Sequence, residues 1–194
     1  MQLLKDRIRR EGKVLPGNII KVDGFLNHRI DTGLMSNIAD EFGKHFNMDE
    51  VTLILTAEAS GIALATMVAQ RFGKPLIYAK KAKSDNIEGG LYQSDIHSYT
   101  YKKKVTLLVS KEWFSADEKV LIIDDFMANG EAMRGLCDIV TAAGATLVGI
   151  GCAVEKGFQG GGDKLRAEGI KVESLAIVEG MNHETGEVFF REQD

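Results

Sequence analysis

Apolar positions along this chain alternate between a rhythm of about four and short unbroken runs. Leu34, Ile38, Phe42 and Phe46 recur every four residues with Met35 and Ala39 beside them. That spacing predicts an amphipathic helix from Thr32 to Phe46, with Asp31 as its cap. The run Thr52-Leu53-Ile54-Leu55-Thr56 is too short for a helix and rich in strand formers. Residues 60 to 72 read as a helix stopped by Gly73 and Pro75. Pro75 to Tyr78 is a further strand. The runs Val105 to Val109 and Val120 to Ile123 flank a polar connection containing Trp113, whose indole is expected to serve packing. A helical pattern follows from Glu131 to Ala143 and ends at Gly144. Thr146 to Val154 is a long apolar run, Lys164 to Glu168 a short helix and Lys171 to Ile177 a last strand.

Strands that are apolar along their length are buried on both faces, which a parallel sheet between two layers of helices requires. The expected class is α/β, with a central, mainly parallel sheet flanked by helices. Ligands of such sheets sit beyond the carboxyl ends of the strands, near the point where strand order reverses. Two segments fall outside the alternation: the first thirty residues, and the polar stretch Lys80 to Lys104. The latter has the composition of a long loop, expected to be a lid or disordered.

Composition narrows the choices. The 194 residues suggest one domain with an appendage, and 24 basic against 28 acidic side chains give a net charge of −4. An acidic chain is a poor nonspecific ligand for nucleic acid, which demands many neutralised phosphates. No apolar run approaches a membrane span, and the interleaved charges of the first ten residues do not form a leader. Cys137 and Cys152 lie inside apolar runs, as in proteins of a reducing cytoplasm. His28, His45, His97 and His183 are scattered and the cysteines lack ligand spacing, so no protein-built metal site is expected.

The most informative string follows Val120-Leu121-Ile122-Ile123. Asp124 and Asp125 stand side by side at the end of that strand, and Phe126-Met127-Ala128-Asn129-Gly130-Glu131-Ala132 leads into the next helix. Carboxylates there must be solvated, paired or bonded to ligand hydroxyls. A turn tolerant of left-handed backbone, at a helix N-terminus, presents amide N–H groups to an anion. Acids for vicinal hydroxyls followed by a phosphate cradle describe a ribose 5-phosphate site.

This string resembles the signature of the type I phosphoribosyltransferases, which bind 5-phosphoribosyl 1-diphosphate (PRPP). The resemblance implies that Asp124 and Asp125 lie at the ribose hydroxyls, as catalytic residues. It implies that Ala128, Asn129, Gly130, Glu131 and Ala132 hold the 5-phosphate. Most members carry hydroxyl residues in this turn where Asn129 and Ala132 stand here, which leaves more of the binding to backbone amides. The variant Ala-Asn-Gly-Glu-Ala is similar to that of the members acting on xanthine. Lys21 to His28, Glu58 to Ala63 and Glu155 to Gln159 extend the likeness along nearly the whole chain.

The same resemblance implies purine salvage, in which xanthine and PRPP give xanthosine 5′-monophosphate and diphosphate, with Mg²⁺ bound mainly through PRPP, in a cytoplasmic homodimer. By it, residues 1–31 and about 155–194 would form a hood over the base, and 80–104 a lid. The turn Glu58-Ala59-Ser60-Gly61 would receive diphosphate, or serve as a capping turn with Ser60 as the cap. Lys80, Lys81 and Lys83 would add positive charge there, Lys80 standing where the family often has arginine. Ile20, Asn27 and Lys156 would meet the base. An ammonium donates only, so Lys156 suits a 6-oxo group and not a 6-amino group, and the Asn27 amide can donate to a 2-oxo group. Alternatives are a hypoxanthine-guanine or adenine transferase, and a PRPP-sensing regulator without catalysis, for whose DNA-binding domain the short N-terminus has little room. Gly160-Gly161-Gly162-Asp163 reads as a flexible lead into a helix, and Gly149-Ile150-Gly151 lacks the third glycine of a dinucleotide fingerprint.

Overall fold

The computed structural model describes residues 1–81, 90–98 and 103–193. The chain opens with helix α1 (Gln2–Glu11), strands β1 (Lys13–Leu15) and β2 (Ile19–Lys21), a π-helical turn (Asp23–Asn27) and α2 (Thr32–His45). Then come β3 (Leu53–Ala57), α3 (Ser60–Phe72), β4 (Leu76–Ala79), β5 (Leu91–Ser98), β6 (Lys103–Ser110) and β7 (Lys119–Met127). The remainder is α4 (Glu131–Ala143), β8 (Thr146–Lys156), α5 (Gly161–Ala167), β9 (Val172–Met181) and β10 (Val188–Phe190).

Six strands form one sheet in the order β10-β9-β8-β7-β3-β4, parallel except for β10. The expected α/β class is present, and its pattern has a visible cause. In β7, Leu121 and Ile123 face the core shared with α2 and α3, while Val120 and Ile122 face the core shared with α4. Both faces of the strand are covered, so both alternating sets are apolar. From β3 the chain winds outward to β4, then returns to start the other half at β7. The reversal therefore lies between β3 and β7, and the crevice beyond their carboxyl ends is the expected ligand position.

The three long helices stand where the pattern places them. Asp31 Oδ1 accepts the Leu34 N–H at 3.0 Å, fixing the start of α2. Gly73 and Gly144 end α3 and α4 in left-handed conformation, with φ of 62° and 73°. Ser60, in contrast, is the first residue of α3 and not its cap: Ala59 holds that position, and the Ser60 hydroxyl donates to Asp125 Oδ1 at 2.8 Å.

The stretch Lys80 to Lys104 is less loop-like than its composition suggests. Residues 91–98 form β5, paired antiparallel with β6. Buried Ser94 and Ile96 alternate with exposed Gln93 and Asp95, the period of a strand with one covered face. That face meets α4, where Ser94 Oγ donates to Asp138 Oδ2 at 2.9 Å. Lys83, residues 84–89 and Tyr99 lie outside the described residues. In the first thirty residues, α1 buries Leu4 and Ile8 against the core; each such side chain is worth about 1.5–3 kcal/mol.

Candidate active site

One cleft of about 640 Å³ opens at the carboxyl ends of β3 and β7. It gathers Asp124, Asp125, Ala128, Asn129, Gly130, Glu131 and Ala132 with Glu58, Ser60, Lys81, Ile20, Asn27 and Lys156. Segments far apart in sequence thus share one solvent space. Ala59 and Gly61, in the same turn as Glu58 and Ser60, do not line this cleft, while Lys80 lines a separate groove with Tyr78, Leu108 and Trp113.

The acid pair lies deeper than a strand terminus implies, because β7 continues to Met127. Asp124 and Asp125 are 7% and 1% exposed. Partners replace the missing water. Asp125 Oδ2 accepts the Asn27 amide at 3.0 Å, and Asp124 Oδ1 accepts the Asp125 N–H at 3.0 Å. Burial first, and the neighbouring Asp125 charge second, push the Asp124 carboxyl well above the ordinary carboxylate range. Gly61 is required beside it, since a Cβ at that position would collide with Asp124 Oδ1 and Thr56 Oγ1.

Beyond the acids, Gly130 takes a left-handed φ of 84° and starts α4. Asn129 Oδ1 accepts the Glu131 N–H at 3.4 Å, a long bond. The first amides of a helix have no partner within it, so those of Ala132 and Met133 open α4 at the cleft wall with the positive end of the helix dipole behind them. The arrangement suits a phosphate dianion.

The second turn, Glu58 to Gly61, joins β3 to α3. Glu58 is tied down at both ends: its N–H donates to Ala79 O at 3.0 Å, and its Oε1 accepts the Lys81 N–H at 2.5 Å. These bonds place the Lys81 side chain along the cleft. On the far wall, Lys156 Nζ donates to Asn18 O at 3.0 Å and sits 5.5 Å from the centre of the Phe126 ring. Burial lowers its pKa from the ordinary lysine value.

Three features of the cleft escape sequence reasoning. Phe126 reads in the sequence only as part of the acid string, yet its ring faces the Lys156 ammonium. The Thr56 hydroxyl is buried without a hydrogen-bond partner among the described residues. Gly161 packs directly on the backbone of residues 128–130, so the glycine run serves close approach and not the flexibility its composition suggests; its only signal is three glycines in succession. Gly161 and Gly162 lie inside α5, which begins three residues before the expected helix.

A sequence profile of the phosphoribosyl transferase domain matches residues 27–179. The chain is 54% identical over 192 residues, 98% of its length and 100% of the relative's, to a xanthine phosphoribosyltransferase of Bifidobacterium longum (strain NCC 2705). A protein of the same name from Lachnoclostridium phytofermentans is 53% identical over 191 residues, 98% of both chains. Among solved structures, an adenine phosphoribosyltransferase of Giardia lamblia complexed with 9-deazaadenine superposes with a TM-score of 0.75 at 20% identity, covering 89% of this chain and 96% of that one. At that identity the likeness speaks for the fold alone. With the parallel sheet, the acid pair and the turn at the start of α4 in place, the chain belongs to the phosphoribosyltransferase family and has its type I fold.

Proposed function

We propose that this chain transfers the phosphoribosyl group of PRPP to xanthine, giving xanthosine 5′-monophosphate and diphosphate in purine salvage. The observation that carries the reading is the meeting, in one cleft, of the acid pair and the helix-start turn with Asn27 and Lys156. The two ends of a nucleotide require different chemistry, and both kinds of group are present. The sequence identity to relatives named for xanthine supports the choice of base.

In this reading the amides at the start of α4 hold the 5-phosphate, and Asp124 and Asp125 take the ribose hydroxyls. A purine nitrogen, having lost its proton, forms the new bond to the anomeric carbon, while the bond from that carbon to diphosphate oxygen breaks and its electron pair leaves with diphosphate. Positive charge grows on the sugar in between, and the buried acids stabilise it. The turn Glu58 to Gly61 and the Lys81 side chain receive the departing anion. Lys156 donates to the 6-oxo group and favours its oxyanion; Asn27 donates to the 2-oxo group; Ile20, 7% exposed, packs on the base.

Magnesium fits this donor set as a companion of the substrate. Among the described residues no group of three or more His, Cys, Asp or Glu side chains is placed to hold a metal. Asp124 and Asp125 are buried and already hydrogen-bonded, so a hard cation would keep its waters and bind mainly through substrate oxygens. When bound it offsets negative charge on diphosphate. No helix among the described residues is long and apolar enough to cross a membrane, and both cysteines are unpaired thiols. By the likeness to its relatives, we propose that the protein works in the cytoplasm as a homodimer.

The test is purified protein with PRPP and Mg²⁺ and, separately, xanthine, guanine, hypoxanthine or adenine, with nucleotides separated by chromatography. Xanthosine monophosphate formed fastest supports the reading. Faster turnover of adenine overturns the base assignment, and PRPP binding without any nucleotide product overturns the enzyme reading. Sedimentation of the same sample checks the dimer.

A further inference from the structure

Behind the sugar-phosphate turn lies a packed assembly to which the mechanism gives no role. We infer that the buried Glu155 carboxylate, acting through α5, sets the shape of the loop Ala128–Gly130 and is a positioning residue for the 5-phosphate. The inference rests on the phosphoribosyl reading of that loop.

The contacts run in a chain. Gly161 stands so near the loop that a Cβ on it would lie 2.5 Å from the Asn129 carbonyl carbon, 2.5 Å from the Gly130 nitrogen and 2.6 Å from the Ala128 oxygen. A Cβ on Gly130 would in turn reach the Gly161 Cα at 3.2 Å. Two main chains touch here with no side chain between them to give way. The next residue, Gly162, lies on Glu155: a Cβ there would overlap its carboxylate.

Glu155 is fully buried. Arg166, near the other end of α5, reaches back to it with Nη1 on Oε1 at 3.2 Å and Nη2 on Oε2 at 2.7 Å, and Ser174 Oγ donates to Oε2 at 2.5 Å. Arg166 also donates to Val172 O at 3.2 Å and Asp163 Oδ1 at 3.0 Å, and Asp163 accepts both terminal nitrogens of Arg191 at 2.7 and 2.8 Å. The short helix is fastened along its length.

A carboxylate buried in full and paired with a half-buried guanidinium is a costly way to fill space, since apolar side chains of the same volume often stabilise a fold better. Its distinctive property is direction: a two-pronged guanidinium–carboxylate bond fixes distance and angle together. Direction matters most under this loop. Asn129 and Ala132 supply no hydroxyl to the phosphate, so the loop binds through main-chain amides whose convergence depends on the path of the chain. On β8, Glu155 points toward α5 and its neighbour Lys156 toward the cleft, the ordinary alternation of a strand.

The test uses the full chain and two variants, Glu155→Gln, which keeps the shape of the side chain and removes its charge, and Gly161→Ala, which pushes on the loop directly. Calorimetry measures ribose 5-phosphate and, separately, diphosphate, whose proposed seat is the other turn. We expect ribose 5-phosphate affinity to fall about tenfold or more in each variant, with diphosphate affinity within about threefold of the parent, because small displacements of a positioning group carry losses of this size. KM for PRPP should rise with it while KM for the base stays within about threefold. Parallel loss of both ligands in the two variants would show a general structural role and overturn the inference, as would unchanged ribose 5-phosphate binding. A parent protein that binds no ribose 5-phosphate would instead overturn the reading of the loop itself.

Discussion

The side-chain amide of Asn27 donates to Asp125 Oδ2 at 3.0 Å, joining a residue of the N-terminal turn to the acid pair of β7 across 98 positions of sequence. The same amide faces the proposed base site, and its nitrogen has a second N–H to offer. Asn27→Leu should lower kcat/KM for xanthine about 10- to 100-fold, the usual cost of losing a buried polar contact. The loss with hypoxanthine, which lacks the 2-oxo group, should be several times smaller. Equal losses with both bases would show that Asn27 serves only to hold Asp125.

Asp124→Asn tests the acid that burial disfavours. The folded-state pKa of Asp124 is raised, so between its unfolded value and its folded value the native protein holds a proton that the unfolded chain releases. Stability attached to this group is therefore full in acid and is lost as pH rises through the folded pKa. The Asn variant, which has no proton to lose, should melt about 2–4 °C above the parent at neutral pH, for about 1 kcal/mol in a chain of this size. The gap should close toward pH 4. Turnover should fall steeply in the same variant, so the two readouts move in opposite directions.

Gly61→Ala is predicted to fail on both counts. A Cβ there meets Asp124 Oδ1 and Thr56 Oγ1 at distances no carbon tolerates, and overpacking of this kind costs about 1–3 kcal/mol. Thermal melting should show the loss, and PRPP binding by calorimetry should weaken as Asp124 is displaced. A variant that melts and binds like the parent would show that the turn yields.

Two adjacent lysines should behave differently. Lys81 lines the cleft and Lys80 a separate groove. Lys81→Met should raise KM for PRPP about tenfold through loss of a charge-assisted contact, while Lys80→Met should change it by less than about threefold. The reverse order would place the diphosphate on the other side of β4.

Much of the fold is legible in the chain because chemistry and pattern coincide. Helices α3 and α4 end at Gly73 and Gly144, where left-handed backbone is demanded, and α2 begins at Asp31, so their limits can be read from single residues. The acid string shows where a sheet hands over to a helix. Other parts carry no such signal. In α1, Leu4 and Ile8 are the only buried residues in a run of charges, and one pair cannot declare a period. The strand β5 hides its inward face in Tyr92, Ser94 and Ile96, of which one is a serine satisfied by Asp138. The partners of Asn27 and Gly161 are distant in sequence, and those of Glu155 lie beyond the next turn and helix; contacts of that kind leave no trace in the local pattern.

The sheet's order of strands has a last consequence. The turns proposed to hold the sugar and its phosphates grow from β3 and β7, neighbours in the sheet, whereas Ile20, Asn27 and Lys156, proposed to meet the nucleobase, come from a separate hairpin, a one-turn helix and the end of β8. On that proposal, preference among bases can drift by exchange of outlying segments while the anchorage of the pentose stays constant. Substitutions that retune base choice belong at those margins, and swapping them between relatives is a sound way to look for altered purine selection.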